Sequence, residues 1–374
     1  MIHSLEQALV ASFFITAGSA VLLATTQRWH GKHSLDTTDG VQKFHVHPTT
    51  RIGGVAILLG LIVASLLSPR PVSLLLRSML IAGLPAFIAG FAEDLTKRVS
   101  IRGRLLSTML SGVIACWLTG YTLKHLDIYG VDFLLASLPV AFAFTAFAVA
   151  GVANSVNIID GFNGLAAGTI MICFSAFGVI AWKVGDLELL QLCFIFVTVG
   201  AGFFVVNFPF GKIFMGDGGA YLFGFMLAWV AVMLPVRNSG VSVWASLLVC
   251  AYPILETGFS IWRRHHRNGH HPGQADSLHL HSLLYCRVAR FALRGAKPQL
   301  KNSLTSLLLW PFSILCASVA IFSFSDTTIL AVSFLACGVG YRLIYLRLTQ
   351  FVWCLKPATL RQNKPTYYTT RNQE

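Results

Sequence analysis

The chain has 374 residues, 55% of them hydrophobic and only 11% charged, with a mean hydropathy of +0.68. This excludes a water-soluble globule with an ordinary charged surface and predicts an all-α, polytopic integral membrane protein. The 28 Lys and Arg against 15 Asp and Glu give a formal net charge of +13; spread over short loops, the excess fits segments kept in the cytoplasm and excludes a nucleic-acid face.

A spanning helix needs about 20 mostly apolar residues. The first such run, 5–26, has no basic segment before it and no small-residue cleavage site after it, so it is expected to be a helix and not a removable leader. Further runs predict helices at 53–68, 73–91, 105–121, 133–152, 165–184, 187–208, 219–235, 241–262, 304–325 and 328–346, about eleven in all. Residues 1–346 form one transmembrane catalytic domain in this reading, and 347–374 a polar cytoplasmic tail. The eight cysteines lie mostly within apolar runs and include no Cys-x-x-Cys pair, which suggests packing and neither a disulfide framework nor a zinc site.

Eleven passes put the termini on opposite sides and divide the loops into two alternating sets. One set, 27–52, 92–104, 153–164, 209–218, 263–303 and the chain from Arg342 onward, holds 23 of the Lys and Arg residues, and the other holds five. Because basic residues stay inside, the first set is assigned to the cytoplasm, with the N-terminus outside and the C-terminus cytoplasmic.

Carboxylates, amides and histidines near membrane depth are costly and therefore functional suspects, and the dense clusters all fall on the cytoplasmic side. Glu93 and Asp94 end the third helix. Their repulsion can be relieved by a divalent cation or by neighbouring bases, or the pair is simply a solvated helix end. Asn154, Asn157 and Asp160, spaced by three, share one helical face if the fifth helix continues past its expected end, ahead of Gly161 and Gly164. They offer amide and carboxylate ligands to a sugar, phosphate or metal, while the glycines let backbone N–H groups approach an anion.

Asp217 stands between glycines after Asn207 and Phe214, and reads either as a ligand for a hard cation or as a helix N-cap. Phe214 reads as a stacking partner for a base or as packing. Six of the twelve histidines lie between Arg263 and His281. No cysteine is near the His pairs and arginines flank them, which fits diphosphate oxygens better than zinc. Acids for a hard metal and bases for phosphates, on one face of the membrane, are what phosphoryl transfer between a soluble nucleotide and a lipid requires.

Four cytoplasmic motifs, in order, resemble those of the polyprenyl-phosphate N-acetylhexosamine-1-phosphate transferases, glycosyltransferase family 4: Arg51-Ile52-Gly53-Gly54, Glu93-Asp94, the stretch Asn154 to Gly164 with Phe214-Met215-Gly216-Asp217-Gly218 after it, and His279-Leu280-His281. The resemblance covers about Val46 to Leu284. It implies a ten- or eleven-helix fold, a cytoplasmic cleft and an apolar groove for an isoprenoid. The implied reaction is attack of polyprenyl (undecaprenyl) phosphate on the sugar-bearing phosphorus of a UDP-sugar, with release of UMP.

Carried over by position, the resemblance implies Mg²⁺, with Mn²⁺ as a substitute, on Asp217 and Asp94. Asp94, Glu93, Asp160 and Asp217 are then catalytic, and Arg51, Asn154, Asn157, Asn207, Phe214, His279 and His281 bind substrate. Asp94 assists or deprotonates the lipid phosphate, Asn207 and Phe214 meet uridine, and His279 meets the diphosphate. Three departures stand out: Glu93 where Asp is common, Asn163 where a second Asp is frequent, and Ser282 where many members have another His.

The first loop reads His45-Val46-His47-Pro48-Thr49-Thr50-Arg51, unlike the lysine-bearing loop usual in the muramoyl-pentapeptide branch. The chain therefore resembles the branch that starts O-antigen and related lipopolysaccharide or cell-envelope polysaccharides, with N-acetylglucosamine or a relative such as N-acetylfucosamine as sugar. The setting expected is the bacterial cytoplasmic (inner) membrane, multi-pass, with the active site on the cytoplasmic face and room for a homodimer. The rival readings are a multi-pass transporter, a non-catalytic scaffold or a degenerate family member, and the short external loops, poor in polar clusters, favour a one-sided enzyme over a transporter.

Overall fold

The computed structural model describes residues 2–36, 49–266, 278–293 and 295–350. It is a helical bundle whose only strands among the described residues form a two-stranded antiparallel pair, Leu35–Asp36 (β1) with Thr49–Thr50 (β2). The helices run α1 Ile2–Thr25, α2 Gln27–Ser34, α3 Gly53–Leu67, α4 Arg70–Thr96, α5 Ile101–Thr119, α6 Val131–Leu135, α7 Leu138–Ile159, α8 Leu165–Lys183, α9 Leu187–Asn207 and α10 Gly216–Arg237. They continue as α11 Val243–Val249, α12 Ala251–His265, α13 Leu280–Leu284, a π-helical turn Tyr285–Ala289, α14 Arg290–Ala292, α15 Pro298–Ser323 and α16 Thr327–Gln350. The first-loop histidines His45 and His47, the loop histidines His270 and His271, and the tail after Gln350 lie outside the described residues.

Nine of the described helices are long and apolar enough to cross a membrane, and the pair α11 and α12, bent by 77° at Cys250, makes up to ten. The protein is a multi-pass membrane protein. Of the eleven runs expected, 53–68 is a 15-residue helix, shorter than the others, and 241–262 is broken in two. The fifth run is displaced: Pro139 sits in the first turn of α7, where its missing N–H costs nothing, and the helix continues past the expected end to Ile159. Asn154 and Asn157 therefore lie on its last turns and not in a loop. The last helix runs four residues beyond the expected boundary at 346.

Helix α10 is the axis of the bundle, with nearly its whole length buried among α3, α4, α7 and α8. In lipid, helices associate through close packing of small residues and not through a hydrophobic effect between them. Gly224 of α10 faces the backbone of Ala153 on α7, and Gly112 of α5 faces that of Ala146, so a Cβ at either would come within 2.9 or 2.8 Å of the opposing Cα. Pro85 disturbs the hydrogen-bond ladder of α4, and the Ala86 N–H is instead satisfied by Ser111 Oγ of α5 at 3.1 Å. Helix α16, mostly exposed along its length, presents its apolar side chains outward, as a lipid-facing helix does.

Candidate active site

The polar clusters converge at one end of the bundle, where α4, α7, α9 and α12 finish and α5, α8, α10 and α15 begin. The convergence is built on glycine. Gly53 and Gly54, opening α3, donate backbone N–H to the carbonyls of Phe214 (3.0 Å) and Met215 (2.9 Å), and Phe214 N–H donates to Thr50 O at 2.8 Å. Gly54 lies so close to Gly219 that a Cβ would overlap its backbone nitrogen, and a Cβ on Gly90 would stand 2.5 Å from the Asp217 carbonyl oxygen. Gly216 has φ +72°, a conformation strained for other residues, and its missing Cβ leaves room for the Arg51 carbonyl. Three separated motifs thus meet backbone to backbone.

Asp94, on the last turn of α4 and 1% exposed, caps α10: its Oδ1 and Oδ2 accept the N–H groups of Asp217 (2.9 Å) and Gly218 (2.8 Å). A carboxylate here satisfies donors that a helix leaves unpaired and complements the positive end of its dipole. Asp217, itself buried, accepts from Arg51 Nη2 at 3.0 Å, from Asn157 Nδ2 at 3.1 Å and from Arg104 Nη1. Arg51 also stands 3.7 Å from Asp94. Asp160, just past α7, has its pKa pushed up to about 8 by burial and by the Asp94 charge, against the opposing pull of Arg51 and of the Gly216 N–H.

The remaining expected residues lie around this centre. Asn154 receives a hydrogen bond from Tyr221 OH at 3.1 Å and returns its amide to the Ala150 carbonyl. Glu93 accepts from the Val99 N–H at 2.8 Å and so holds the turn after α4. Asn207 is a clamp between loops, donating to Ile213 O at 2.7 Å and accepting from Gly164 N at 2.6 Å. Phe214 is half-buried and enters the site's hydrogen-bond framework through its backbone. Asn163 ties its loop to α15: its N–H donates to Asn302 Oδ1 at 2.7 Å, and its carbonyl accepts from Ser306 Oγ at 2.7 Å.

His279 and His281 stack in parallel, centroids 5.0 Å apart, and His281 lies edge-on to Phe162 at 5.4 Å, beside the Asp160 loop. Sequence reasoning missed Arg104, which looks like any basic loop residue, and Glu256, whose Oε1 meets His279 Nδ1 at 3.0 Å. Glu256 carried a usable signal, being the lone charge in the apolar run Tyr252 to Trp262.

The described residues contain no group of three His, Cys, Asp or Glu side chains placed to cage a metal ion. Asp94 and Asp217 nonetheless put two buried carboxylates side by side at the start of α10. That donor set fits Mg²⁺, which commonly takes one or two carboxylates and fills its shell with water and phosphate oxygens.

Residues 76–235, from α4 to α10 and including Asp94, Asn157, Asp160 and Asp217, match the family model described as glycosyl transferase family 4. The stretch from α4 to α10 is thus similar to glycosyl transferase family 4. Among its relatives, a probable undecaprenyl-phosphate N-acetylglucosaminyl 1-phosphate transferase of Bacillus subtilis (strain 168) is 27% identical over 227 residues, 60% of this chain and 62% of that one. An undecaprenyl-phosphate alpha-N-acetylglucosaminyl 1-phosphate transferase of Yersinia pestis is 25% identical over 238 residues, 62% of this chain and 64% of the relative. A phospho-N-acetylmuramoyl-pentapeptide-transferase of Geobacillus sp. (strain WCH70) is 31% identical over 201 residues, 50% of this chain and 61% of the relative. The chain thus spans less than two thirds of the length of these relatives.

Proposed function

We propose that this protein is a family 4 transferase that moves N-acetylhexosamine 1-phosphate, most readily N-acetylglucosamine 1-phosphate, from its UDP derivative to polyprenyl phosphate at the cytoplasmic face of a bacterial cytoplasmic membrane. The product would start a lipid-linked surface polysaccharide such as O-antigen. The observation that carries the reading is Asp217 at the start of the buried α10, gripped by Arg51, Arg104 and Asn157 over the Asp94 cap.

In the proposed reaction an oxygen of the lipid phosphate attacks the sugar-bearing phosphorus. The bond from that phosphorus to the oxygen it shares with UMP breaks, and UMP leaves with the electron pair. Arg51 and Arg104 offer planar, permanently charged donors for phosphate oxygens, and the α10 terminus adds a positive dipole end. Asn157 orients the Asp217 carboxylate. Asp94 holds Asp217 and Gly218 in register, so that the groups meeting the nucleotide are fixed before it binds. Mg²⁺ held by Asp217 and Asp94 would neutralise charge on the diphosphate.

An apolar cavity of about 210 Å³ between α7, α10 and the bent α11–α12 pair, lined by Phe144, Val152, Ala231, Trp244 and Ile254, supports a place for the isoprenoid chain. The names of the Bacillus and Yersinia relatives and the first-loop sequence favour N-acetylglucosamine. The similarity to the Geobacillus protein keeps UDP-N-acetylmuramoyl-pentapeptide as the second donor to try, ahead of UDP-N-acetylfucosamine and UDP-N-acetylquinovosamine. The test is UMP release by the purified protein with polyprenyl phosphate, Mg²⁺ and each donor in turn. Lipid-dependent release with one donor, lost in Asp217→Asn, supports the assignment; no release with any donor removes it.

A further inference from the structure

The two histidines of the family motif are held by a carboxylate from another element. Glu256 sits midway along α12, just beyond the 77° break, and is 1% exposed. Its Oε1 accepts from His279 Nδ1 at 3.0 Å and from the Leu280 N–H at 2.9 Å, while Oε2 stands 3.8 Å from His281 Nδ1. The same carboxylate lies within electrostatic reach of Tyr341 on α16 and Tyr252 on α12. A carboxylate buried this far is costly unless donors surround it.

The geometry sorts the imidazole nitrogens. Nδ1 of each ring faces Glu256, so Nε2 is the atom each ring turns elsewhere. As the structure stands, His279 Nε2 accepts from Arg264 Nη2 at 3.4 Å, and His281 Nε2 is the atom nearest to a Cβ built on Gly161, at 3.9 Å. With one proton committed to Nδ1, any second proton on His279 must sit on Nε2, beside the Arg264 guanidinium. Two such donors side by side repel each other, unless a countercharge lies behind the ring or an anion lies in front of it.

We propose that Glu256 is a positioning residue for diphosphate recognition: it fixes Nδ1–H of His279 and supplies the countercharge that lets Nε2–H, together with Arg264, meet a diphosphate oxygen. His279 touches the substrate and Glu256 acts through it. The proton on Nε2 is taken from solvent as the anion binds, stays on the ring and is shared in a hydrogen bond; no other covalent bond is made or broken. The inference rests on the transferase reading, whose diphosphate it places. The titratable and charged groups facing the His279–Glu256 pair are His281, Arg264, Tyr252 and Tyr341.

The test uses the full chain in detergent and reads two quantities, UMP release and the Kd for UDP. Glu256→Gln keeps an oxygen for His279 and Leu280 and removes the charge. It is expected to raise both the KM for the nucleotide sugar and the Kd for UDP about tenfold or more, with a smaller change in kcat and a nearly unchanged melting temperature. In a His279→Ala background the same substitution is expected to change UDP binding by less than about twofold, because the pathway runs through that ring.

UDP affinity within about twofold of wild type for Glu256→Gln, or losses that multiply in the double variant, would overturn the proposal. Should Glu256→Gln not fold, Glu256→Asp takes its place, keeping the charge but drawing it back by one methylene. It is expected to weaken UDP binding only when His279 is present. UDP binding that depends on Glu256 without any UMP release would remove the transferase reading and leave this one standing. UMP release with UDP affinity indifferent to Glu256 would do the reverse, and a wild-type chain that does not bind UDP would overturn both.

Discussion

Asp94 accepts, one oxygen to each, the backbone N–H groups of Asp217 and Gly218, so the acid that finishes one helix is the cap of the helix that carries the other acid. The two are coupled through geometry before any substrate arrives. Asp94→Asn has only one acceptor oxygen and turns an NH₂ toward a backbone N–H. It is expected to lower stability by about 1–2 kcal/mol and to remove most UMP release, since Asp217 moves with its helix terminus. Thermal melting in detergent beside the UMP assay checks this; a variant that melts early but retains full turnover would show that the cap does not set the Asp217 position.

The backbone contact between α3 and α10 makes a sharper prediction. A Cβ on Gly54 overlaps the Gly219 backbone, which cannot yield as a flexible side chain can, whereas a Cβ on Gly151, in the middle of α7, meets nothing within 4 Å. Gly54→Ala is expected to cost about 2–3 kcal/mol or more and to abolish activity. Gly151→Ala is expected to be neutral or to stabilise by up to about 1 kcal/mol, as alanine is the better helix former. Equal melting temperatures for the two variants would contradict the close approach.

The sequence pattern foretold the apolar helices and the gathering of Asp94, Asn157, Asp160 and Asp217 at one end, because burying such residues in lipid without a use is costly; Arg51 entered only through the family resemblance. It did not foretell the break at Cys250, although Pro253 was a signal for it: a proline has no N–H for the Val249 carbonyl four residues back and crowds it. Nor did it foretell pairings between distant segments. Asn163 and Asn302 meet across 139 positions, and Arg104 and Asp217 across 113; hydropathy has no term for a hydrogen bond between loops. Asn207 illustrates the limit: its place in a motif was visible, while the commitment of its amide to Gly164 and Ile213 required coordinates.

Chelation tests the assignment of the carboxylates. With Asp217 and Asp94 as the protein's share of a hard-cation site completed by phosphate and water, EDTA is expected to stop UMP release and added Mg²⁺ or Mn²⁺ to restore it. Asn157→Ala removes the amide that orients Asp217 while leaving both acids in place. It is expected to raise the Mg²⁺ concentration for half-maximal activity by about tenfold, measured as a Mg²⁺ titration at saturating donor. An unchanged Mg²⁺ dependence would separate Asn157 from the metal ligands.

At the opposite end of the bundle an ion pair gives a stability prediction with a definite sign. Asp186, in the turn before α9, faces Arg237 in a two-pronged contact, Nε to Oδ2 at 2.7 Å and Nη2 to Oδ1 at 2.8 Å, and also accepts from the Leu189 N–H at 3.1 Å and from Asn238 Nδ2 at 3.2 Å. Burial alone would raise its pKa; the Arg237 pair and the added donors outweigh burial and hold it below the usual carboxylate value. A folded-state pKa below the unfolded one stabilises the fold above the unfolded value of about 3.9, and that contribution is lost as pH falls through the lower folded value. Asp186→Asn is therefore expected to be less stable than wild type by about 1–3 kcal/mol near pH 7, with the difference shrinking as the pH is taken below about 4. Melting curves of both proteins from pH 7 to pH 3 check it: a gap that stays constant over that range would mean that the charge on Asp186 does not contribute.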